Sequence, residues 1–300
     1  APNPNATPAK HMIVFLNGQF VLEEQALVSV LDRGFLYGDG VFETLRIFRS
    51  QPFRWAEHID RFQHGTAFLK IDLPFAPIEL FAHAQRLIEL NAMPESLLRI
   101  TLTRGVGARG YSPKGANRPT LAMTLHTAPE PKPGPPPAWR VVTASCRLPA
   151  NEALAEFKTC NKLPQILARA EADASGADEA LLLNTDGNIV EASSSNLFWI
   201  ANDSVCTSPL QSGVLAGVTR LVVSEICKKL SLTACEEVIT PAGLRRAQGA
   251  FLSLSSWGIV EIASLDGHPL ARSPLTAKIR AAYEDLVVCE IGASVGQRNL

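Results

Sequence analysis

Residues 128–137 read APEPKPGPPP, six prolines in ten positions, and no other stretch limits the fold as strongly. Each proline fixes φ and removes a backbone donor, so neither a helix nor an inner strand can run through this segment. The run splits the 300-residue chain into two pieces that must each build a core. The reading is a small N-terminal domain over residues 12–127, a proline-rich linker over 128–137, and a larger C-terminal domain over 138–300. Residues 1–11, polar and proline-broken, read as a flexible tail. With 46% apolar and 19% charged residues, there is enough apolar side chain for a sizeable core without disulfide or metal staples.

Within the first piece, Asn17-Gly18 lies between two apolar runs, and both residues tolerate the positive φ of a two-residue hairpin turn. VFETLRIF, residues 41–48, reads as a strand. The stretch WAEHIDRFQHGTAFLKI then predicts a helix with apolar Ile59, Phe62 and Phe68, carrying His58 and Arg61. A helix over 77–91 and strands over 97–104 and 119–126 follow. In the second piece, RVVTAS is a strand and LPQILARAEADASG a helix stopped by Gly176. EALLLNTDGNIVEASSSNLFWI is a strand pair turned at Asp186-Gly187, and GVTRLVVSEICKKL is a helix with Val218, Leu221, Val222 and Ile226 on one side. Strands and helices do not alternate strictly, as a doubly wound parallel sheet would require. Two α+β domains are expected.

The net charge of −1, from 28 basic and 29 acidic residues, gives no long-range pull on a polyanion, so nucleic acid is not an expected partner. No apolar run is long enough for a membrane helix, and the first residues lack the apolar core of a signal peptide, so a cytoplasmic protein is expected. The six cysteines contain no CxxC pair and read mostly as buried small hydrophobes. The histidines show no ligand spacing either. No metal is expected.

Gly105-Val106-Gly107-Ala108-Arg109-Gly110 fits the dinucleotide pattern GxGxxG, but a phosphate-cradling version must open a helix, and here Tyr111-Ser112-Pro113 follows. The segment reads as a glycine-rich hairpin loop able to place Arg109 and Tyr111 over a ligand. Lys158 could be one more surface lysine. Its apolar neighbours Phe157, Cys160 and Leu163 would instead lower its pKa and make the amine a nucleophile. Glu191 could be an outward-facing strand acid, or could hold a cationic ring nitrogen beside its serine-rich turn. Gly217-Val218-Thr219-Arg220 opens an amphipathic helix whose free N–H groups attract an anion, as any helix start does. Taken with Arg61 and the hydroxyls of Ser255 and Ser256, it suggests a phosphate pocket.

DRGFLYGDGVFETLRI, HIDRF, KTCNKLPQILARAEA, ADEALLLNTDGNIVEASSSNLFWI and LAGVTR, in this order, resemble the class IV aminotransferase family. That family comprises the fold-type-IV pyridoxal phosphate enzymes: branched-chain and D-amino-acid aminotransferases and aminodeoxychorismate lyase. The likeness runs from about residue 13 to 285. It implies a two-domain α+β fold like that of D-amino-acid aminotransferase, with pyridoxal 5'-phosphate at the domain interface and a homodimeric assembly. On this resemblance Lys158 matches the lysine joined to the cofactor aldehyde, which then serves as the base, and Glu191 matches the partner of the pyridine nitrogen. Arg61, Val218, Thr219 and Ser255 match the phosphate binders. Phe42, Arg109, Tyr111 and Ser256 are the expected substrate-binding residues.

RGVGARGYS, FETLRI and the KTCN spacing look most like the lyases. Branched-chain enzymes usually carry glycine and tyrosine where this chain has Thr44 and Lys162. The expected activity is therefore elimination of pyruvate from 4-amino-4-deoxychorismate to give 4-aminobenzoate, with Arg109 clamping a carboxylate. The alternative is transfer of an amino group from a branched-chain or D-amino acid to a 2-oxo acid.

Overall fold

The computed structural model describes residues 11–130 and 134–296. Most of the expected tail, residues 1–10, and the centre of the proline run, residues 131–133, lie outside the described residues. The first piece contains β1 (Ile13–Leu16), β2 (Gln19–Leu22), α1 (Arg33–Tyr37), β3 (Gly40–Phe48), β4 (Gln51–Pro52), α2 (Trp55–Leu69), α3 (Pro77–Asn91), β5 (Ser96–Thr103) and β6 (Thr120–Thr127). Its six strands form one sheet in the order β2-β1-β6-β5-β3-β4. Asn17 and Gly18 turn the β1–β2 hairpin with φ of 48° and 93°, as their residue types predict. Beneath α2 and α3 lies a core that includes Phe15, Leu45, Ile59, Phe62, Leu80, Leu87 and Ile100.

The second piece contains β7 (Ala138–Leu148), α4 (Leu163–Ala174), β8 (Glu179–Asn184), β9 (Ile189–Ala192), β10 (Asn196–Ala201), β11 (Ser204–Thr207), α5 (Val218–Lys229), β12 (Ala234–Glu236), α6 (Pro241–Leu244), β13 (Gly249–Leu254), β14 (Gly258–Leu265), β15 (His268–Pro269) and α7 (Pro274–Gly296). Eight strands run β12-β11-β10-β13-β14-β7-β8-β9, and β15 joins at β14. Helices α5 and α7 cover one face around Val222, Ile226, Phe251 and Tyr283, while Leu197, Trp199, Leu252 and Val260 belong to a separate apolar cluster. Alternation along the strands feeds both clusters: Val205 joins the one under α5 and its neighbour Cys206 the other.

The two sheets meet through side chains that sequence periodicity does not reveal. Phe53, just ahead of α2, packs edge-on against Tyr283 of α7 at 5.9 Å. Arg54 reaches across to Glu225 and Glu290 at 2.7 Å each. One expectation needs correction. Leu221 does not join the apolar side of α5; it is 46% exposed, and Val223 and Cys227 are buried in its stead. Phe68, within the expected helix, lies on the surface stacked on Phe157 at 4.1 Å. Only Cys206 and Cys227 among the cysteines are buried, and all six are free thiols.

Candidate active site

A cavity of about 610 Å³ lies between the two sheets. One wall comes from β3, where strand alternation points Phe42 and Thr44 into the cavity and turns Glu43 toward α2. Glu43 is fully buried there. It accepts from Arg61 Nε at 2.8 Å and Arg61 Nη2 at 2.7 Å, and lies 2.7 Å from His58 Nδ1. His58 and Arg61 are three apart on α2 and so share a face. Burial alone would raise the Glu43 carboxyl, but Arg61 and His58 outweigh it and bring its pKa down to about 2. The remaining Arg61 nitrogen, Nη1, donates to the Ala216 carbonyl at 2.9 Å, just ahead of α5.

Lys158 hangs from the same strand. Its carbonyl accepts from Phe42 N at 2.9 Å, Cys160 N donates to Gly40 O at 2.9 Å, and Val41 bridges Thr159. Its ammonium sits 4.8 Å from the centre of the Phe42 ring, the ring that also carries the Arg99 guanidinium at 3.9 Å. Burial first, then the nearby charge of Arg61, bring the Lys158 pKa down to about 8, against the pull of Glu43. A fraction of the amine is therefore neutral near pH 7. This is the state a nucleophile or proton acceptor needs.

Glu191 enters from β9, buried at 9% exposure. Its Oε2 accepts from Leu215 N at 3.1 Å and, weakly, from Asn196 Nδ2 at 3.4 Å. Burial pushes the Glu191 carboxyl above the usual range, while the charges of Lys162 and Lys158 hold it back. Val218 and Thr219, in the first turn of α5, complete the wall together with Gly217, Ser255 and Ser256. Gly217 has no room for a side chain, because a Cβ would stand 2.0 Å from Asn196 Oδ1.

The cavity thus gathers Phe42, Arg61, Lys158, Glu191, Val218, Thr219, Ser255 and Ser256 of the residues singled out from the sequence. It does not gather Arg109 or Tyr111. Their segment is the loop between antiparallel β5 and β6, without a helix, as its sequence predicts. Arg33 ties that loop down by donating to the carbonyls of Gly110, Tyr111 and Ser112 at 2.9, 3.0 and 3.1 Å. Tyr111 is 87% exposed and meets Tyr37 edge-on.

Sequence reading singles out neither Glu43 nor His58 as a site residue, although the single acid inside VFETLRIF is a visible signal. Lys162, noted only as a departure from a family pattern, lines the cavity, and burial lowers its pKa. Among the lining side chains, Arg61, Lys158, Lys162 and Arg169 outnumber Asp173 and Glu191. The excess of cations favours an anionic occupant.

Comparison with known proteins gives the same chemistry a family. Residues 40–265 match the model of the amino-transferase class IV family. A Methanocaldococcus jannaschii protein provisionally assigned as a branched-chain-amino-acid aminotransferase is 33% identical over 92% of this chain and 96% of its own. The D-alanine aminotransferase of Bacillus licheniformis is 29% identical over 95% of this chain and 100% of its own. Among solved structures, a branched-chain aminotransferase from Thermoproteus uzoniensis superposes with a TM-score of 0.86 at 29% identity, over 93% of this chain and 95% of that one.

The residues fit a phosphorylated pyridine aldehyde. They supply an amine of lowered pKa, a buried carboxylate with weak partners, and a helix start beside a guanidinium. The hydroxyls of Ser195 and Ser253, which line the cavity, are buried without a hydrogen-bond partner among the described residues, as expected where a polar group is meant to be met. The chain belongs to the class IV aminotransferase family and is a pyridoxal-phosphate-dependent enzyme.

Proposed function

We propose that this enzyme is an aminotransferase, moving the amino group of a branched-chain or D-amino acid to a 2-oxo acid. The observation that carries the reading is the meeting of Lys158, Glu191 and the α5 start around one cavity. Choice of reaction leans on the relatives: the curated and structural matches above carry aminotransferase names at coverage above nine-tenths of this chain. The lyase, which the RGVGARGYS loop favours, has the support of a Legionella pneumophila structure provisionally assigned as 4-amino-4-deoxychorismate lyase. That chain has a TM-score of 0.80 at 26% identity, covering 86% of this chain. Arg109, the carboxylate clamp of the lyase reading, does not line its own subunit's cavity.

Pyridoxal phosphate, when bound, supplies an aldehyde for amines and a ring that withdraws electrons from the amine-bearing carbon. Lys158 would hold it covalently, and its free Nζ would take up and return a proton. Glu191 holds the positive charge at the ring nitrogen. The N–H groups of Val218 and Thr219, with Arg61 and the Ser255 hydroxyl, hold the phosphate. Glu43 and His58 keep the Arg61 guanidinium aimed. Phe42, Thr44, Leu97 and Ser256 form walls at which substrate is recognised and water excluded.

The dimer belongs to the same proposal. Leu27, Val30 and Phe35 are exposed at 81%, 69% and 73%, close in sequence to Arg33, which anchors the Arg109–Tyr111 loop. Exposed apolar side chains of this kind suit contact with a second subunit, whose cavity the loop would then reach. Sedimentation of active enzyme as a monomer would refute this part.

The deciding measurement is a substrate panel of L-leucine, D-alanine and aminodeoxychorismate, with 2-oxoglutarate or pyruvate as acceptor. Amino exchange from either amino acid is the expected result. Formation of 4-aminobenzoate with no amino exchange would overturn it in favour of the lyase.

A further inference from the structure

Away from the cavity, the edge of the second sheet brings together three residues that lie far apart in sequence. Strand β12 pairs in parallel with β11, and the register sets Cys206 directly against Cys235. Side chains of directly paired residues point to the same sheet face, and residues two apart on one strand do so too. Glu237 continues the ladder, since its N–H donates to Thr207 O at 3.0 Å. Cys206, Cys235 and Glu237 therefore share a face. One ligand atom from each lies within 4.8 Å of the others.

We propose that Cys206, Cys235 and Glu237 form a site for a thiophilic divalent cation of the zinc type. Two sulfurs and one carboxylate oxygen are three corners of a tetrahedron, with water at the fourth. Soft thiolates exclude magnesium and calcium, which want an all-oxygen shell. A graded approach path exists, from exposed Glu237 through half-buried Cys235 to buried Cys206. Among the described residues Glu237 has no basic side chain within ion-pair distance, so its charge is available to a cation. Metal binding requires thiolates, so it must release protons and weaken as pH falls.

The intervening residue faces the other way. Glu236 accepts from Arg220 Nη2 at 2.6 Å, and Arg220 lies in the first turn of α5. A cation that pins β12 to β11 thus stiffens the strand on which the phosphate-holding helix start leans. Nothing in the reaction needs the cation, so this site stands or falls independently of the proposed activity.

The test is titration of the reduced holoenzyme with Co²⁺, whose tetrahedral thiolate complexes absorb at the red end of the visible, clear of the cofactor. One equivalent per chain is expected to develop those bands and to raise the thermal midpoint. Cys235→Ser should abolish the bands. Glu237→Gln should weaken Co²⁺ affinity roughly 10–100-fold or more, since losing a ligand costs at least as much as losing an outer-shell partner. Cys289→Ser, at an exposed position of α7, should change nothing. Absence of the bands in the wild type, or their survival in Cys235→Ser, would overturn the site. So would saturation at one equivalent unaffected by either ligand variant.

Discussion

Two buried carboxylates flank the Lys158 amine and have been solved in opposite ways. Glu43 receives two donors of one guanidinium and contacts a histidine ring, and its pKa falls to about 2. Glu191 receives one firm backbone donor and one long amide contact, and burial moves its pKa upward. The same functional group is thus a finished internal contact in one place and an unfinished one in the other. A finished pair aims Arg61 and asks nothing of a ligand. An unfinished one is stabilised only when a cationic group arrives.

Removing the amine between them should have the largest effect. Lys158→Ala is expected to cut turnover roughly 10⁴-fold or more. Borohydride reduction followed by peptide mapping should then find no cofactor-labelled peptide; a labelled peptide and retained turnover would show that another residue does the chemistry. Glu191→Ala comes next. It should lower kcat by roughly 10²–10³-fold while barely moving the denaturant midpoint, because the protein gives this carboxylate only one backbone donor and one long amide contact.

Glu43→Gln should do the reverse. It strips a buried charge from Arg61 and His58 and should cost about 3–5 kcal/mol of stability, read from urea unfolding at neutral pH. Because the folded pKa of Glu43 lies below its ordinary 4.5, the stabilisation is complete above that value and is lost as pH falls toward about 2. The gap between wild type and variant should therefore close across that window. If Glu191→Ala unfolds the protein while Glu43→Gln spares it, the contrast is broken. The smallest effect concerns rate. Cofactor capture by apoenzyme should speed up as pH rises through about 8, where the Lys158 amine loses its proton, and a profile centred near 10 would show an amine that burial does not perturb.

Much of the fold was legible because apolar spacing is local. The helix over 77–91 is α3 to the residue, and the turns at Asn17-Gly18 and Asp186-Gly187 form with positive φ at Asn17, Gly18 and Gly187. The residues proposed to hold the cofactor stand out through collinear motifs, each ambiguous alone, and all of them line one cavity. What periodicity missed depends on partners distant in sequence. Leu221 sits at helical core spacing, three residues after Val218, but what covers a helix face is decided by elements elsewhere in the chain. The hydrogen-bonded cluster of His58, Glu43 and Arg61 joins a strand to a helix, and Cys206 meets Cys235 only through strand register. Arg109 and Tyr111 were placed over a ligand by loop position alone, whereas Arg33, invisible to such reasoning, decides where the loop lies.

Lys158 follows the proline run in the chain, yet its carbonyl accepts from Phe42 N in the first sheet, and the residues after it are tied to Val41 and Gly40. Covalent ancestry and mechanical allegiance therefore differ for this residue. A chimera that exchanged the first 127 residues for those of a relative would keep the native lysine but suspend it from foreign hydrogen bonds, and would re-aim the amine without touching its sequence neighbourhood.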